Sequence, residues 1–257
     1  MSSEFKYDPE VNYDEATMAQ QRQIEKEVAT KQQLIGPQED LSQLEMEFAE
    51  DAVYFQKTKC LQKKYSHMRR TRGDGNCFYR AFCFAYFETL LHNRTEYDRF
   101  KDIAARSKEM LLSLGFPQFT LEDFHDVFME VLEKVGSQCA LDDLLDTFND
   151  QGHSDYLVVY LRLLVSGHLQ KEDEFYSNFV EGGRSVQEFC SQEVEPMGKE
   201  SDHIHISALT AATGVSIQVE YLDRGSDDSV IGHVFPEGTT PQIYLLYKPG
   251  HYDILYK

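Results

Sequence analysis

Hydrophobic and polar positions follow two different periods along this chain. Over most of the sequence apolar residues recur every three or four positions, which predicts helices. Residues 77–91, CFYRAFCFAYFETLL, are apolar on nearly every side and predict a buried central helix. Three other helices are predicted with caps: one begins at Thr120 with a capping-box spacing and ends at Val135, one covers 154–168 with Ser154 as its cap, and one runs from Ser201 and Asp202 to Gly214. Further helices are predicted over residues 97–114, 140–149, 172–180 and 185–194.

Toward the C-terminus the period changes to two. Residues 215–221, VSIQVEY, alternate apolar with polar positions, and residues 242–248 and 251–257 read as two further strands. Pro249 and Gly250 between them suit a type II turn, so they predict a terminal hairpin. Residues 223–230 read as a loop. The predicted fold class is α+β, with many helices around a small, mostly antiparallel sheet.

The N-terminal segment differs from the rest in composition. Residues 1–12 are polar and predict disorder, whereas residues 13–33 predict a helix with only a thin apolar stripe. Gly36 and Pro37 end that helix. A second helical pattern follows from Leu41 toward Tyr65. We therefore expect an arm over 1–36, partly disordered, and a compact domain over 37–257.

Charge and cysteine usage narrow the class of protein. With 25 basic and 44 acidic residues the net charge is −19, which argues against nucleic acid or an anionic membrane as main partner. The five cysteines form no C-x-x-C pair, and the N-terminus has no secretory apolar segment. We expect a reducing compartment, the cytoplasm and also the nucleus. The longest apolar run, residues 156–165, contains Arg162 and is too short to span a bilayer.

Cys77 is the leading candidate for a reactive thiol. It follows the turn Asp74-Gly75-Asn76 and begins the buried helix, and helix N-termini favour the thiolate form of cysteine. Backbone N–H groups in such a turn can also stabilise an oxyanion. The alternative is that Cys77 is only a packing residue, since cysteine is often buried. Cys139 also precedes a helix, without a glycine turn, and ranks second.

A nucleophilic cysteine needs a base and a group that orients the base. Two H-x-D patterns occur, at His153 and at His251. On a strand, residues i and i+2 share a face, so His251 and Asp253 are expected to interact. His153 lies at a helix start, where i and i+2 do not face each other. The geometry therefore favours His251 with Asp253.

The sequence gives little support for a metal, phosphate or nucleic-acid site. His203 and His205 open a predicted helix, where their spacing is wrong for sharing a metal ion. Neither a GxGxxG loop nor a Walker pattern is present. The aromatic residues over 78–87 read as core. We therefore expect neither a metal nor another cofactor.

Two short motifs together resemble a known family. DGNCFYRAF over residues 74–82 and GHYD over 250–253 resemble the ovarian-tumour (OTU) cysteine proteases. Residues 148–170, 195–210 and 215–221, and the polar arm, are similar to the otubain subgroup. The resemblance runs from about residue 13 to 257. It implies an OTU-type fold and a deubiquitinase that hydrolyses isopeptide bonds, with a preference for lysine-48-linked ubiquitin chains.

The same resemblance implies roles for four residues. Cys77 would be the nucleophile, His251 the general base and Asp253 the residue that orients the imidazole. Asp74 would lie in the loop that forms the oxyanion hole and counts as an active-site aspartate.

The resemblance also implies partners: ubiquitin, ubiquitin chains and ubiquitin-conjugating (E2) enzymes. We expect the protein to be a monomer and to bind neither nucleic acid nor a membrane. The arm would form part of a second ubiquitin site and help to inhibit ubiquitin-charged E2 enzymes without catalysis. Two alternatives remain open, a purely non-catalytic regulator that binds ubiquitin and E2 enzymes, and a different Cys–His transferase on a similar architecture.

Overall fold

The backbone of this protein is organised around one six-stranded sheet. A computed structural model describes residues 32–225 and 230–257. The strands are β1 Ile35–Asp40, β2 His67–Thr71, β3 Ile217–Tyr221, β4 Ile231–Phe235, β5 Ile243–Lys248 and β6 His251–Tyr256. Their order in the sheet is β1-β2-β6-β5-β3-β4. Every pairing is antiparallel except β3 with β5, so the prediction of a mostly antiparallel sheet in an α+β fold is confirmed.

Helices supply most of the remaining described residues. They are α1 Ser42–Glu47, α2 Ala52–Gln62, α3 Cys77–Leu90, α4 Arg94–Ser113, α5 Gln118–Gly136, α6 Leu141–Asn149, α7 Gln151–Lys171, α8 Asp173–Tyr176, α9 Val186–Phe189 and α10 His203–Thr213. A short 3₁₀ turn follows α8 and a π-helical turn follows α9. Within the described ranges, no helix is both long and apolar enough to cross a membrane.

The two faces of the sheet are covered unequally. The larger apolar cluster contains residues of α3 to α7 and α10 together with Val219, Leu245 and Ile254 of the strands. A smaller cluster on the other side joins Leu44 and Leu61 of α1 and α2 to sheet residues such as Leu255. Because side chains alternate along a strand, neighbouring residues of β6 belong to different clusters.

Helix α3 lies at the centre of the larger cluster, as predicted. Twelve of its residues are buried, from Cys77 to Leu90, and it packs across β5 and β6. Such a helix cannot show an amphipathic period because every side has protein against it. This position brings the first residue of α3 close to the first residue of β6.

Two helices lack the caps that were predicted for them. Helix α5 begins at Gln118 after Pro117, so Thr120 lies inside the helix and is not its cap. Helix α7 begins at Gln151, where the Asp150 carboxylate accepts from the His153 N–H at 2.9 Å, so Ser154 is not a cap either. Proline and aspartate each supply a start three to four residues before the predicted one.

Three strands were not predicted from the sequence. β1 lies where Gly36 and Pro37 are predicted to end a helix, and β2 follows the helical pattern that runs toward Tyr65, in residues with no predicted element. β4 follows the predicted loop over 223–230. Residues 226–229 of that loop lie outside the described residues. β1 contains Gly36 and Pro37, and β2 reads HMRRT, so neither shows the alternation that indicates a strand.

The arm is described only at its end. The predicted disorder over 1–12 and the predicted helix over 13–33, apart from its last two residues, lie outside the described residues. β1 begins at Ile35, two residues before the predicted start of the domain at 37. The Asn149 side chain donates to the Ile35 carbonyl and accepts from its N–H, both at 3.0 Å, so Ile35 is joined to the domain.

Candidate active site

The terminal hairpin brings His251 and Asp253 together. Pro249 and Gly250 connect β5 to β6, and Gly250 has a φ of +75°, which glycine adopts without strain. His251 begins β6, and its Nε2 lies 2.8 Å from Asp253 Oδ1. The interaction expected for residues i and i+2 on a strand is therefore present.

Asp253 is fully buried and has three partners. Besides His251, the Thr71 N–H donates to Oδ1 at 3.0 Å, and Lys248 Nζ lies 2.9 Å from Oδ2 as an ion pair without full hydrogen-bond geometry. Burial on its own would raise the pKa of Asp253. The hydrogen bond from His251 and the positive charges of Lys248 and His251 outweigh burial and lower this pKa to about 2.

Cys77 lies on the other side of the imidazole. It is the first residue of α3 and is 4% exposed. Since Nε2 of His251 faces Asp253, Nδ1 is the ring nitrogen that faces the loop before α3, and a Cβ atom placed on Gly73 would lie 3.5 Å from it. Burial disfavours the charged ring, but hydrogen bonds with Asp253 and Cys77 and their negative charges raise the pKa of His251 to about 9.

The loop before Cys77 has a fixed conformation. Gly75 has a φ of +73°, and a Cβ atom there would lie 2.0 Å from the Gly198 carbonyl oxygen, so no other residue fits. The Asp74 N–H donates to the Arg72 carbonyl at 3.1 Å, and the Asn76 N–H donates to Asp74 Oδ1 at 3.0 Å. Within the described ranges the N–H groups of Gly75 and Cys77 have no acceptor, so they are the donors open to an oxyanion.

The side chain of Asp74 points into the protein. Its Oδ1 also accepts from Arg80 Nη1 at 2.9 Å, and Arg80 is fully buried in α3. Asp74 therefore shapes the loop that would form the oxyanion hole.

The sequence interpretation missed three residues around this site. Thr71 ends a strand that was not predicted, and Lys248 ends β5 beside Asp253. Arg162 is fully buried in α7 and donates from Nη2 to the Gly75 carbonyl and to Asn76 Oδ1, both at 2.9 Å. A buried arginine inside an apolar helical run was the one available signal, because such a charge needs partners.

The other candidate residues lie in different surroundings. Burial and then the negative charge of Asp143 raise the pKa of the Cys139 thiol. His153 Nδ1 lies 2.7 Å from Asp150, and His203 stacks on the ring of Tyr221. In the described part of the chain no three His, Cys, Asp or Glu side chains are grouped so that they could hold a metal ion.

A groove adjoins the imidazole on the side of β1 and β2. Its volume is about 730 Å³. The residues that line it are Gln32, Gln33, Gly36, Pro37, Glu47, Arg70, Thr71, Gly73, Lys248, His251 and Asp253. The end of the arm therefore lies along one wall of the space next to the reactive groups.

Comparison with known proteins places this geometry in a family. The family described as Peptidase C65 Otubain matches residues 27–257. Ubiquitin thioesterase OTUB1 of Rattus norvegicus is 60% identical over 246 residues, 95% of this chain and 91% of the relative. Ubiquitin thioesterase OTUB2 of Homo sapiens is 40% identical over 223 residues, 87% of this chain and 95% of the relative.

Solved structures agree with the sequence comparison. The structure of h/ceOTUB1-ubiquitin aldehyde-UBC13~Ub matches with a TM-score of 0.90 and 36% identity, over 96% of this chain and 99% of that chain. A corresponding complex with UBCH5B~Ub matches with a TM-score of 0.90 and 37% identity, over 95% and 98%. The fold, the Cys–His–Asp geometry and these similarities lead to one conclusion: the chain belongs to the otubain family of cysteine peptidases.

Proposed function

We propose that this otubain is a thiol-dependent deubiquitinase that hydrolyses the isopeptide bond between a ubiquitin C-terminus and a lysine, with a preference for lysine-48-linked chains. The observation that carries the proposal is Cys77 at the start of α3, beside an imidazole whose other nitrogen lies 2.8 Å from the buried carboxylate of Asp253. Relatives named ubiquitin thioesterase at up to 60% identity support the substrate class.

In the first step Cys77 is the nucleophile and His251 is the base. The Cys77 thiol first passes its proton to His251 Nδ1, which holds it at neutral pH because the pKa of the imidazole is about 9, and the sulfur then attacks the isopeptide carbonyl carbon. Negative charge develops on the carbonyl oxygen, and the N–H groups of Gly75 and Cys77 are the donors available to stabilise it. Asp253 keeps the ring oriented and stabilises its positive charge.

In the second step His251 acts as an acid. With a pKa of about 9 the imidazole retains its proton at neutral pH, so it can protonate the departing lysine amine as the C–N bond breaks. The ubiquitin C-terminus then remains as a thioester on Cys77. Water, deprotonated by the imidazole, attacks that thioester and releases the carboxylate and the free thiol.

An exposed apolar surface suits the ubiquitin whose C-terminus is cleaved. Phe175 and Phe179 are more than half exposed and line a groove of about 400 Å³ together with Ile204 and Phe235. Contiguous exposed apolar side chains are typical of protein-binding sites. Asp202 of this groove follows Ser201, whose carbonyl accepts at 3.1 Å from the hydroxyl of Tyr252, the residue after His251.

The groove beside β1 and β2 suits the other side of the scissile bond. Its walls include Gln32 and Gln33 at the end of the arm and lie directly next to His251. We propose that the ubiquitin that supplies the lysine binds here, and that the arm contributes to the preference for lysine-48 linkages.

Cleavage of linkage-defined diubiquitins tests the enzymatic proposal. We expect wild-type protein to cleave the lysine-48-linked dimer fastest and Cys77→Ser to lose activity by about 10⁴-fold or more. Cys139→Ser is the matched control, since Cys139 also precedes a helix, and it should retain wild-type activity. A ubiquitin probe with a thiol-reactive C-terminus should label Cys77 alone. Equal activity of wild type and Cys77→Ser would reject the proposal.

A second function is supported by the solved complexes. Two matching structures contain OTUB1 with ubiquitin aldehyde and with UBC13~Ub or UBCH5B~Ub, and both align with a TM-score of 0.90. We propose that this protein also binds ubiquitin-charged E2 enzymes and suppresses chain synthesis without cleaving any bond, with the arm as part of the binding surface.

Separate variants distinguish this second function from the first. Cys77→Ser should still block chain assembly by a purified E2 enzyme. Deletion of residues 1–31 should abolish that block and leave the domain folded, because it spares β1 and Gln32, whose carbonyl accepts from Arg72 at 2.6 Å. A truncated protein that blocks assembly as well as the full chain would contradict the role of the arm.

The state of the cysteines supports a proposal for the cellular compartment. None of the five cysteines, all within the described ranges, forms a disulfide. We propose the cytoplasm, and also the nucleus, as the location, which fractionation of cells expressing the tagged full chain would test.

A further inference from the structure

Arg162 is a fully buried guanidinium that no part of the proposed reaction uses. It lies in α7, and its Nη2 donates to the Gly75 carbonyl and to Asn76 Oδ1 at 2.9 Å, and to the Lys199 carbonyl at 2.7 Å. Its Nη1 donates to the Val194 carbonyl at 2.9 Å. One side chain therefore connects the loop before the nucleophile to the segment over 194–199.

The peptide group between Gly75 and Asn76 is held from both sides. Its carbonyl oxygen accepts from Arg162, and its N–H donates to Asp74 Oδ1 at 3.0 Å. Asp74 is in turn fixed by Arg80 at 2.9 Å. A peptide group is planar, so fixing both its oxygen and its hydrogen sets its rotation. The Gly75 N–H belongs to the preceding peptide group and the Cys77 N–H to the following one, so both donors adjoin the fixed group.

Asn76 receives a second constraint from the same arginine. Its side-chain oxygen accepts from Arg162 Nη2 and from the Gly198 N–H, both at 2.9 Å. Asn76 precedes α3 but makes no capping hydrogen bond with its side chain. The Asn76 side-chain amide therefore hydrogen-bonds with Arg162 and Gly198 and does not cap the helix.

Packing alone does not account for a charge at this position. In the described part of the chain no carboxylate forms an ion pair with Arg162, and its Nε has no hydrogen-bond partner. The guanidinium is stabilised by carbonyl oxygens and by the face of Tyr79, whose ring centre lies 4.6 Å away. Apolar residues of similar volume stabilise a core at least as well as buried charges do.

We propose that Arg162 is a positioning residue that sets the N–H groups of Gly75 and Cys77 in the geometry needed to bind the oxyanion. The inference rests on the proposed function, because it assigns the donors of that reaction. It predicts a loss in the chemical step, with substrate binding unchanged and with the reactivity of Cys77 reduced far less than kcat. Removal of one oxyanion donor typically lowers kcat by about 10²- to 10³-fold.

The experiment compares Arg162→Met and Arg162→Lys with wild type, at a temperature well below each unfolding midpoint. We expect Arg162→Met to lower kcat for lysine-48-linked diubiquitin by about 10²-fold and to change KM by less than about threefold. Arg162→Lys retains donors for some of the carbonyls, so its kcat should lie between those of wild type and Arg162→Met. Arg99→Met is the control, since Arg99 also donates to a backbone carbonyl, that of Thr213 at 3.1 Å, away from the loop.

The rate at which iodoacetamide alkylates Cys77 distinguishes a role of Arg162 in positioning the oxyanion donors from an effect on the thiol itself. This reaction forms no oxyanion, so its rate, measured by mass spectrometry of the Cys77 peptide, should fall far less than kcat in Arg162→Met and should match wild type in Arg162→Lys, which keeps the charge that interacts with Cys77. Alkylation that falls in parallel with kcat would show that Arg162 acts on the thiol and would overturn the inference. Unchanged kcat in a folded variant would overturn it too. If Arg162→Met does not fold, Arg162→Lys decides by the same criteria.

The activity of the wild-type protein separates failure of the proposed function from failure of the role of Arg162. If wild type does not cleave diubiquitin, or if Cys77→Ser is equally active, the proposed function fails and the role of Arg162 fails with it. If wild type is active through Cys77 and Arg162→Met has full activity, only the role of Arg162 is rejected.

Discussion

Lys248 Nζ lies 2.9 Å from Asp253 Oδ2, the carboxylate oxygen opposite to the one that meets His251. Lys248 ends β5 and faces His251 in the antiparallel register, so the hairpin brings a cation to each oxygen of one buried carboxylate. The Asp253 carboxylate is thereby kept ionised although it is fully buried. This relationship leads to the first prediction.

Lys248→Met should lower the free energy of unfolding by about 1–3 kcal/mol, because Oδ2 of Asp253 would stay buried without its cation. The pKa of Asp253, now about 2, should rise, so that acid destabilises the variant at higher pH than wild type. Urea unfolding near pH 7 and near pH 3 measures both effects. Lys171→Met is the control, since Lys171 is exposed and pairs with Glu172 at 3.7 Å. Equal losses in both variants would contradict the prediction.

The protonation of His251 should contribute to stability in a defined pH window. Its pKa is about 9 in the folded protein and 6.5 as the ordinary value, so the contribution is complete below pH 6.5 and is lost as the pH rises through 9. The difference in unfolding free energy between wild type and His251→Gln should therefore be larger near pH 6 than near pH 10, by about 3 kcal/mol. Urea unfolding at the two pH values tests this.

An NMR titration of the His251 ring gives a second readout. The midpoint should lie near 9 in wild type and fall in Asp253→Asn, which weakens the largest cause that raises this pKa. A midpoint that does not move in Asp253→Asn would show that the carboxylate does not control the imidazole.

Asp74 should act through the loop conformation and not through its charge. Asp74→Asn can still accept from the Asn76 N–H, whereas Asp74→Ala cannot. We expect Asp74→Ala to lower kcat by about 10²-fold and Asp74→Asn by less than about tenfold, both with KM near wild type. Steady-state kinetics with lysine-48-linked diubiquitin would check this. Equal and large losses in the two variants would point to the negative charge.

Phe179→Arg should weaken binding of the ubiquitin whose C-terminus is cleaved. Phe179 is 59% exposed beside the apolar groove, so a charge there removes apolar contact without disturbing the core. We expect KM to rise by about tenfold or more with kcat within about threefold, since binding and not chemistry is affected. Phe119→Arg is the control for this groove, because Phe119 is 81% exposed on α5. A fall in kcat alone would contradict the assignment of the groove.

Local sequence signals were sufficient for part of the site. The buried period of α3 placed Cys77 at a helix start, and Pro249 with Gly250 predicted the hairpin that brings His251 next to Asp253. Each of these features depends on residues close together in the chain. Periodicity and turn chemistry report on such short-range order directly.

The rest of the site depends on contacts between distant segments. β2 reads HMRRT and becomes a strand because it pairs with β6, where Met68 lies opposite Leu255. That pairing is what brings the Thr71 N–H to Asp253, 182 residues away. Arg162 lies in a helix whose pattern was recognised, but its contacts with Gly75 and Asn76 depend on tertiary packing that no local pattern encodes.

Gly75 and Gly198 allow the loop conformation to be tested with two matched substitutions. Both have positive φ, +73° and +78°, so alanine at either position should cost about 1–2 kcal/mol of stability. A Cβ atom on Gly75 would lie 2.0 Å from the Gly198 carbonyl oxygen, whereas one on Gly198 would lie 3.7 Å from the nearest atom, the Asp74 carbonyl oxygen. Only Gly75→Ala therefore has to displace backbone.

We expect Gly75→Ala to lower kcat by about 10²-fold or more, because the displaced loop carries the Gly75 and Cys77 N–H groups. Gly198→Ala should keep kcat within about threefold of wild type, since its cost is conformational and does not move those donors. Thermal unfolding of both variants, together with kcat at a temperature where both are folded, separates stability from activity. Similar kcat values in two folded variants would mean that the chemical step tolerates a displaced loop, and the Gly75 and Cys77 N–H groups would then not be the oxyanion donors.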